Sequence, residues 1–381
     1  MRGTPTPGVV HFWGRRPTSA SKLFQPRRAV WWVLTAAFVI AAVLQVMTFS
    51  TMFTQPIGAF AVLATVVWAV WTLIGAWLVG LADVYSRVPT SVRFAALAWG
   101  AFCAILLSGP LVGVIDALAQ PLIGDYSAAV SAPLMEEAAK YLGVALIAGV
   151  VPVLFHRPIT GLLCGMLSGL GFSFWENLGY TNANLAEVQP QADTATSITT
   201  VFTMLGERGV LGAPWGHLAF TGLTCMGIVY FVARTDVTRA RRLLVAAGFL
   251  VAGMALHGLN NLDPALPDPY SVIIFPVVII AELGVLVGLI IYAIRAERRW
   301  LRDLTEAGVA SSVISPQEGR DLVSRRKRRR ARKAQEPSAR ETIVPRQRAQ
   351  IAYVDALADS APAAEVDALR ARAEAPPHRP G

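Results

Sequence analysis

Two adjacent carboxylates and an amine, in Met135-Glu136-Glu137-Ala138-Ala139-Lys140, interrupt an otherwise apolar stretch from Tyr126 to Phe155. Each charge at the centre of a bilayer helix costs about 2.5–3.5 kcal/mol on insertion scales, so three together require a use beyond packing. At helical spacing Lys140 lies four residues from Glu136 and three from Glu137, so one amine reaches either carboxylate on a single face. Other apolar stretches carry isolated polar residues: Glu176 in Phe172-Ser173-Phe174-Trp175-Glu176-Asn177, His217 after Pro214-Trp215-Gly216, and His257 with Asn261 four residues on. The set comprises three carboxylates, two imidazoles, an amide and a lysine. Such an inventory suits activation of water by a carboxylate base. The base works either beside a metal held by His and Glu or with imidazole partners alone. His217 or Asn261 can also donate to an oxyanion. The simpler readings are a Glu–Lys lock between helices and hydrogen bonding by single histidines. Both histidines reaching the depth of the glutamates favours the chemical reading.

The elements that must position these groups are membrane-spanning helices. Of the 381 residues 54% are hydrophobic and only 15% charged, with mean hydropathy +0.49; a soluble domain carries about a quarter charged residues. Repeated apolar runs of about 20 residues specify an all-α, polytopic membrane protein. Eight spans are expected, near Ala29–Ser50, Ile57–Asp83, Val92–Leu118, Tyr126–Phe155, Ile159–Tyr180, Ala213–Ala233, Leu243–Leu262 and Tyr270–Ala293. The first is read as a retained anchor, because no small-residue cleavage site follows it. Residues 1–28 read as a disordered arm, 29–295 as the membrane domain and 296–381 as a basic, mostly disordered tail, with a short helix expected at Ile351–Ala373. Cys103, Cys164 and Cys225 fall in apolar segments without paired spacing and read as small buried residues.

The loops fix the expected orientation. Lys and Arg precede the first span (Arg15, Arg16, Lys22, Arg27, Arg28) and follow the second (Arg87, Arg93), the fourth (Arg157), the sixth (Arg234, Arg239, Arg241, Arg242) and the eighth. The loops at 51–56, 119–125 and 263–269 have none, and the long loop at 181–212 has only Arg208. The positive-inside rule then places both termini in the cytoplasm. In that frame Glu136, Glu137, Glu176, His217, His257 and Asn261 all converge on the outer half of the membrane. The net charge of +9 is concentrated in the tail, where eight of the nine residues Arg325–Lys333 are basic. Beside a membrane such a run marks attraction to anionic lipid headgroups, and no nucleic-acid partner is expected.

Several hydrolase patterns are excluded. No His-Glu-x-x-His occurs; Gly171-Phe172-Ser173 lacks a following Gly, and Ile123-Gly124-Asp125 lacks the Gly of an aspartyl Gly-x-Gly-Asp motif. A proton-coupled transporter would use the same residues as a relay, but the paired inverted repeats of transporters are not found. A non-catalytic membrane scaffold is the other alternative.

The chain resembles the PrsW family of intramembrane proteases, distant relatives of the CAAX-processing and bacteriocin-immunity membrane proteins. The resemblance rests on Glu136-Glu137-Ala138-Ala139-Lys140, then Phe172-Ser173-Phe174-Trp175-Glu176-Asn177, then Arg208 followed by Pro214 and His217, and finally His257-x-x-x-Asn261. It covers a motif core of about 126–262 within the eight-span frame. It implies an endopeptidase of a bacterial cytoplasmic membrane that cuts single-pass membrane proteins, such as anti-sigma-factor-type regulators, near their extracytoplasmic side. Glu136 and Glu137 would be essential, one of them the base, with Lys140 and Asn261 in the same catalytic set. Glu176, His217 and His257 would be ligands of a divalent metal, zinc foremost, or polarising groups in a metal-free mechanism. Asn261 stands where an acid is more usual, which suits an oxyanion donor better than a ligand.

Overall fold

The computed structural model describes residues 23–53, 57–85, 88–188, 193–211, 215–262, 269–310 and 314–324, with a few single positions beyond. No strand occurs among them. The helices are α1 (Ala29–Phe53), α2 (Gly58–Gly80), α3 (Thr90–Ala98), α4 (Ile105–Ile123), α5 (Ala128–Val150), α6 (Pro158–Val188), α7 (Thr194–Met204), α8 (Gly216–Ala233), α9 (Arg239–Asn261), α10 (Tyr270–Ala310) and α11 (Pro316–Val323). A π-helical stretch, Trp99–Ala104, joins α3 to α4, and a second, Leu205–Leu211, extends α7. Among the described residues seven helical segments are long and apolar enough to cross a membrane. The 23-residue α5 has the length, but Glu136, Glu137 and Lys140 set it apart in composition. The protein is therefore an all-α, polytopic membrane protein.

The outer helices show how the bilayer acts as solvent. Val39, Ile40, Val43 and Val46 of α1 and Val272, Ile273, Val277 and Ile280 of α10 are exposed, an apolar surface that lipid covers at no cost. Helix α6 is the opposite case: it is buried along most of its length, from Pro158 to Phe172 without a break. Its glycines explain how it fits. Gly161, Gly165 and Gly169 recur every fourth residue and face α8. A Cβ at Gly165 would lie 2.3 Å from the Thr221 carbonyl oxygen, and one at Gly169 would lie 2.1 Å from that of His217. Such a row lets two membrane helices approach backbone to backbone. The start of α8, and with it His217, is thereby pinned to the middle of α6.

The stretch 181–212, expected as a loop, is mostly helical. Helix α6 continues to Val188, and α7 begins at Asp193, whose carboxylate accepts the Thr196 N–H at 2.8 Å as an N-cap. Ser197, Val201 and Met204, at helical spacing, are its buried face; Val201 packs with Leu178 and Leu185 of α6 and Ala61, Ala64 and Trp68 of α2. Trp68 also donates to Thr181 Oγ1 at 2.9 Å, tying α2 to the far end of α6. A Thr/Ser/Ala-rich segment too short to span a membrane gives little periodicity, which is why it reads as a loop.

The described residues divide into two compact units, the larger holding Ser19–Asp83 and Arg87–Ala293. In the smaller, Leu301, Leu304, Ile314 and Leu322 form a cluster with Tyr85 and Trp300 against it. Here α11 is a finding beyond the expected tail: Ser315 and Glu318 form a reciprocal capping box at its start. The arm through residue 22, Pro214, most of Arg325–Lys333 and most of the helix expected at 351–373 lie outside the described residues.

Candidate active site

Four helices bring the sequence-distant polar residues to one place. Lys140 on α5 is completely buried, and its Nζ donates to Glu137 Oε1 at 2.7 Å and to Glu136 Oε2 at 3.4 Å. It also lies 2.9 Å from His217 Nδ1 and 3.9 Å over the Phe172 ring. A lysine ammonium only donates, so Nδ1 of His217 is the acceptor and its Nε2–H donates to Glu176 Oε2, at 2.8 Å. The same rule orients His257: its Nδ1 lies 3.1 Å from Glu137 Oε1, so the proton sits on Nδ1. His257 Nε2 then presents a lone pair 3.9 Å from Glu136 Oε2. Phe220 of α8 stacks flat on the His257 ring, with centroids 4.7 Å apart.

The two adjacent glutamates are not equivalent. Glu137 is fully buried and has both oxygens engaged: Oε1 by Lys140 and His257, Oε2 by Thr221 Oγ1 at 2.9 Å. Glu136 has weaker partners and lines a cavity of about 830 Å³ together with Glu176, His217, His257 and Asn261. Glu137 is not among the lining residues. Either glutamate qualifies as a base from the sequence; geometry gives only Glu136 access to a water in the cavity.

Arg208 comes from the π-helical extension of α7. It donates to Asn177 Oδ1 at 2.8 Å, lies 3.5 Å from Glu176 Oε2 and stacks over Tyr180 at 3.9 Å. Asn177 and Tyr180 thus hold Arg208, and Arg208 holds Glu176. Asn261 reaches the cavity wall, where its Oδ1 accepts from Asn260 at 3.3 Å. Three participants escape sequence reasoning. Thr221 could have been found four residues after His217 on one helical face. Trp68 and Trp71 of α2, which wall the cavity, carry no sequence signal for a site.

The metal question turns on the donor set. Nitrogen and oxygen atoms of Glu136, His217 and His257 lie within 4.8 Å of one another, two imidazoles and a carboxylate, a combination common in catalytic zinc sites. Glu176, expected as the carboxylate ligand, instead takes the Nε2–H of His217. His257 is the best prepared ligand, with a bare Nε2 and the Glu137 carboxylate behind its Nδ1–H, the arrangement that orients metal-binding histidines. Formally, three carboxylates (Glu136, Glu137, Glu176) face two cations (Lys140, Arg208), leaving an excess negative charge that a cation would offset. The residues present fit a divalent ion provided that His217 gives up its Nε2–H, since its Nδ1 is taken by Lys140 and its Nε2 carries the proton offered to Glu176.

The family model for PrsW family intramembrane metalloproteases matches residues 88–294, more than half of the chain. The protein belongs to the PrsW family. No curated protein and no solved structure matches it. The match spans α3 to the middle of α10 and includes all four motif clusters, whereas α2, which supplies the tryptophan wall of the cavity, lies before it. Membership in the PrsW family makes the protein a membrane-embedded protease, with a family chemistry that uses a metal.

Proposed function

We propose that this protein hydrolyses peptide bonds of single-pass membrane proteins near the extracytoplasmic face of a bacterial cytoplasmic membrane. The observation that carries the proposal is the split between the glutamates: Glu136 lines the cavity, and Glu137 is sealed behind it as the anchor for Lys140, His257 and Thr221. Loop charges support the orientation, with both termini cytoplasmic. Glu136 lies eight residues into α5, about 12 Å along the helix.

In the proposed mechanism Glu136 accepts a proton from the attacking water. Lys140, donating to both glutamates, holds their carboxylates in place. Glu176 and Arg208 fix the His217 ring, and the side-chain amide of Asn261 donates to the carbonyl oxygen as it gains charge. A divalent ion, zinc foremost, would be held by Glu136, His217 and His257 and would supply Lewis-acid polarisation of the scissile carbonyl and a more acidic water. With Glu136 so engaged, Glu176, which also lines the cavity, accepts the proton in its place.

The test compares host membranes containing wild type or Glu136→Gln at matched expression. A small set of single-pass proteins should stay full length only with the variant, with wild-type cuts near their outer membrane boundary. Identical membrane proteomes, with the variant correctly inserted, would remove the assignment.

A further inference from the structure

Among the described residues of the membrane domain, two buried carboxylates lie outside the site: Asp83, which is matched by Arg93 and the Val88 N–H, and Glu282. Glu282 of α10 is 0% exposed, and neither of its carboxylate oxygens has a hydrogen-bond partner among the described residues. Buried polar groups are nearly always matched, and an ionisable residue inside a membrane helix marks a functional position unless a partner accounts for it. Here none does. An interhelical lock would show its second half, and the neighbouring wall is apolar.

Its surroundings indicate a ligand. Phe275, two turns before Glu282, lines the large cavity. Leu286 and Ile290, one and two turns after it, line a second cavity of about 120 Å³. Trp71 and Leu170 line both, so the two spaces are neighbours, and Glu282, which lines neither, stands on α10 between the residues that do. Among the described side chains of 270–293 only Glu282, Leu286 and Ala293 are buried, so this part of α10 leans on its neighbours along a narrow seam. A helix held that way can part from its neighbours to admit another membrane segment.

Building on the protease reading, we infer that Glu282 recognises the membrane segment of the substrate, accepting a hydrogen bond from an amide, hydroxyl or ammonium group. Glu282 lies twelve residues into α10, about 18 Å along the helix. The recognised group therefore sits near the middle of a bilayer core about 30 Å thick. A substrate segment with a polar residue at that depth loses its own penalty in lipid when it pairs there, which selects it over a purely apolar helix.

The experiment reads binding without turnover, in a Glu136→Gln background in lipid nanodiscs. The probes are two fluorophore-labelled 23-residue Leu/Ala helices with lysine flanks, one carrying a single central Asn. The Asn peptide should bind about three- to twentyfold more tightly, the range that membrane hydrogen bonds support. Added Glu282→Gln should keep the preference, since its amide oxygen still accepts. Glu282→Leu should abolish it with the thermal midpoint unchanged or raised, because an unmatched polar group is removed. Equal affinity for both peptides (undetectable binding of both included), a preference that survives Glu282→Leu, or a large loss of thermal stability in both variants would overturn the inference. Absence of Glu136-dependent cleavage would sink the protease reading and leave this binding result standing.

Discussion

The glycine row of α6 makes the sharpest structural prediction. In Gly169→Ala the new Cβ would stand 2.1 Å from the His217 carbonyl oxygen and 3.2 Å from Thr221 Oγ1. Carbon–oxygen contacts settle at about 3.3–3.6 Å, so α8 must retreat from α6 by about 1 Å at the turn that carries His217. The His217–Glu176 bond at 2.8 Å and the Thr221–Glu137 bond at 2.9 Å cannot both survive that shift. A displacement of about 1 Å in positioned groups costs on the order of 100-fold in rate. The assay is kcat/KM on a reconstituted single-pass substrate, with thermal midpoint and elution volume as folding controls. Gly165→Ala, facing the Thr221 oxygen at 2.3 Å one turn further from His217, should lose less. Gly179→Ala on the same helix meets nothing within 4 Å and should keep wild-type activity. A folded Gly169→Ala within threefold of wild type, or an equal loss in Gly179→Ala, would refute the reasoning.

Three further outcomes are expected. Arg208→Lys should not rescue the activity lost in Arg208→Ala, because an ammonium cannot both bond Asn177 and stack on Tyr180; matching activities of Arg208→Lys and wild type would contradict this. Dialysis against a strong chelator should abolish cleavage, and added zinc should restore it; undiminished turnover in metal-free protein would favour the imidazole-only mechanism. The Thr196 amide bond to Asp193 holds that carboxyl below its ordinary 3.8. The cap therefore stabilises α7 fully above that value and is lost as pH falls through the lower native one. Hydrogen exchange of the Thr196 amide in Asp193→Ala should be faster than in wild type at pH 7, and unchanged exchange would discard the cap.

The sequence made some layers legible and hid others for physical reasons. Long apolar runs dictate spanning helices, so α1, α2, α8 and α9 were readable within a few residues, as was the start of α6, which runs eight residues past its expected end. Charges in apolar surroundings announced Glu136, Glu137, Lys140, Glu176, His217 and His257, and the fold brings these six together. The division of labour between Glu136 and Glu137 was invisible. Adjacent residues point about 100° apart on a helix, and only packing shows which direction is cavity and which is Thr221. Exchange of Glu176 for Glu136 in the candidate metal set has the same origin. Helix α7 was hidden because its stability comes from a cap and three buried side chains, with little help from propensity. The Gly161-x-x-x-Gly165-x-x-x-Gly169 row was in plain view; its meaning depends on which helix lies opposite.

The most direct test of the central claim sets Glu136→Gln beside Glu137→Gln in purified, reconstituted protein, reading cleavage rate and thermal midpoint together. Glu136→Gln should lose about 10²–10⁴-fold in rate and keep its thermal midpoint. Glu137→Gln removes the negative charge paired with buried Lys140 and should unfold at distinctly lower temperature, since breaking a buried ion pair costs about 3–5 kcal/mol. A folded Glu136→Gln that cleaves at the wild-type rate would contradict the account.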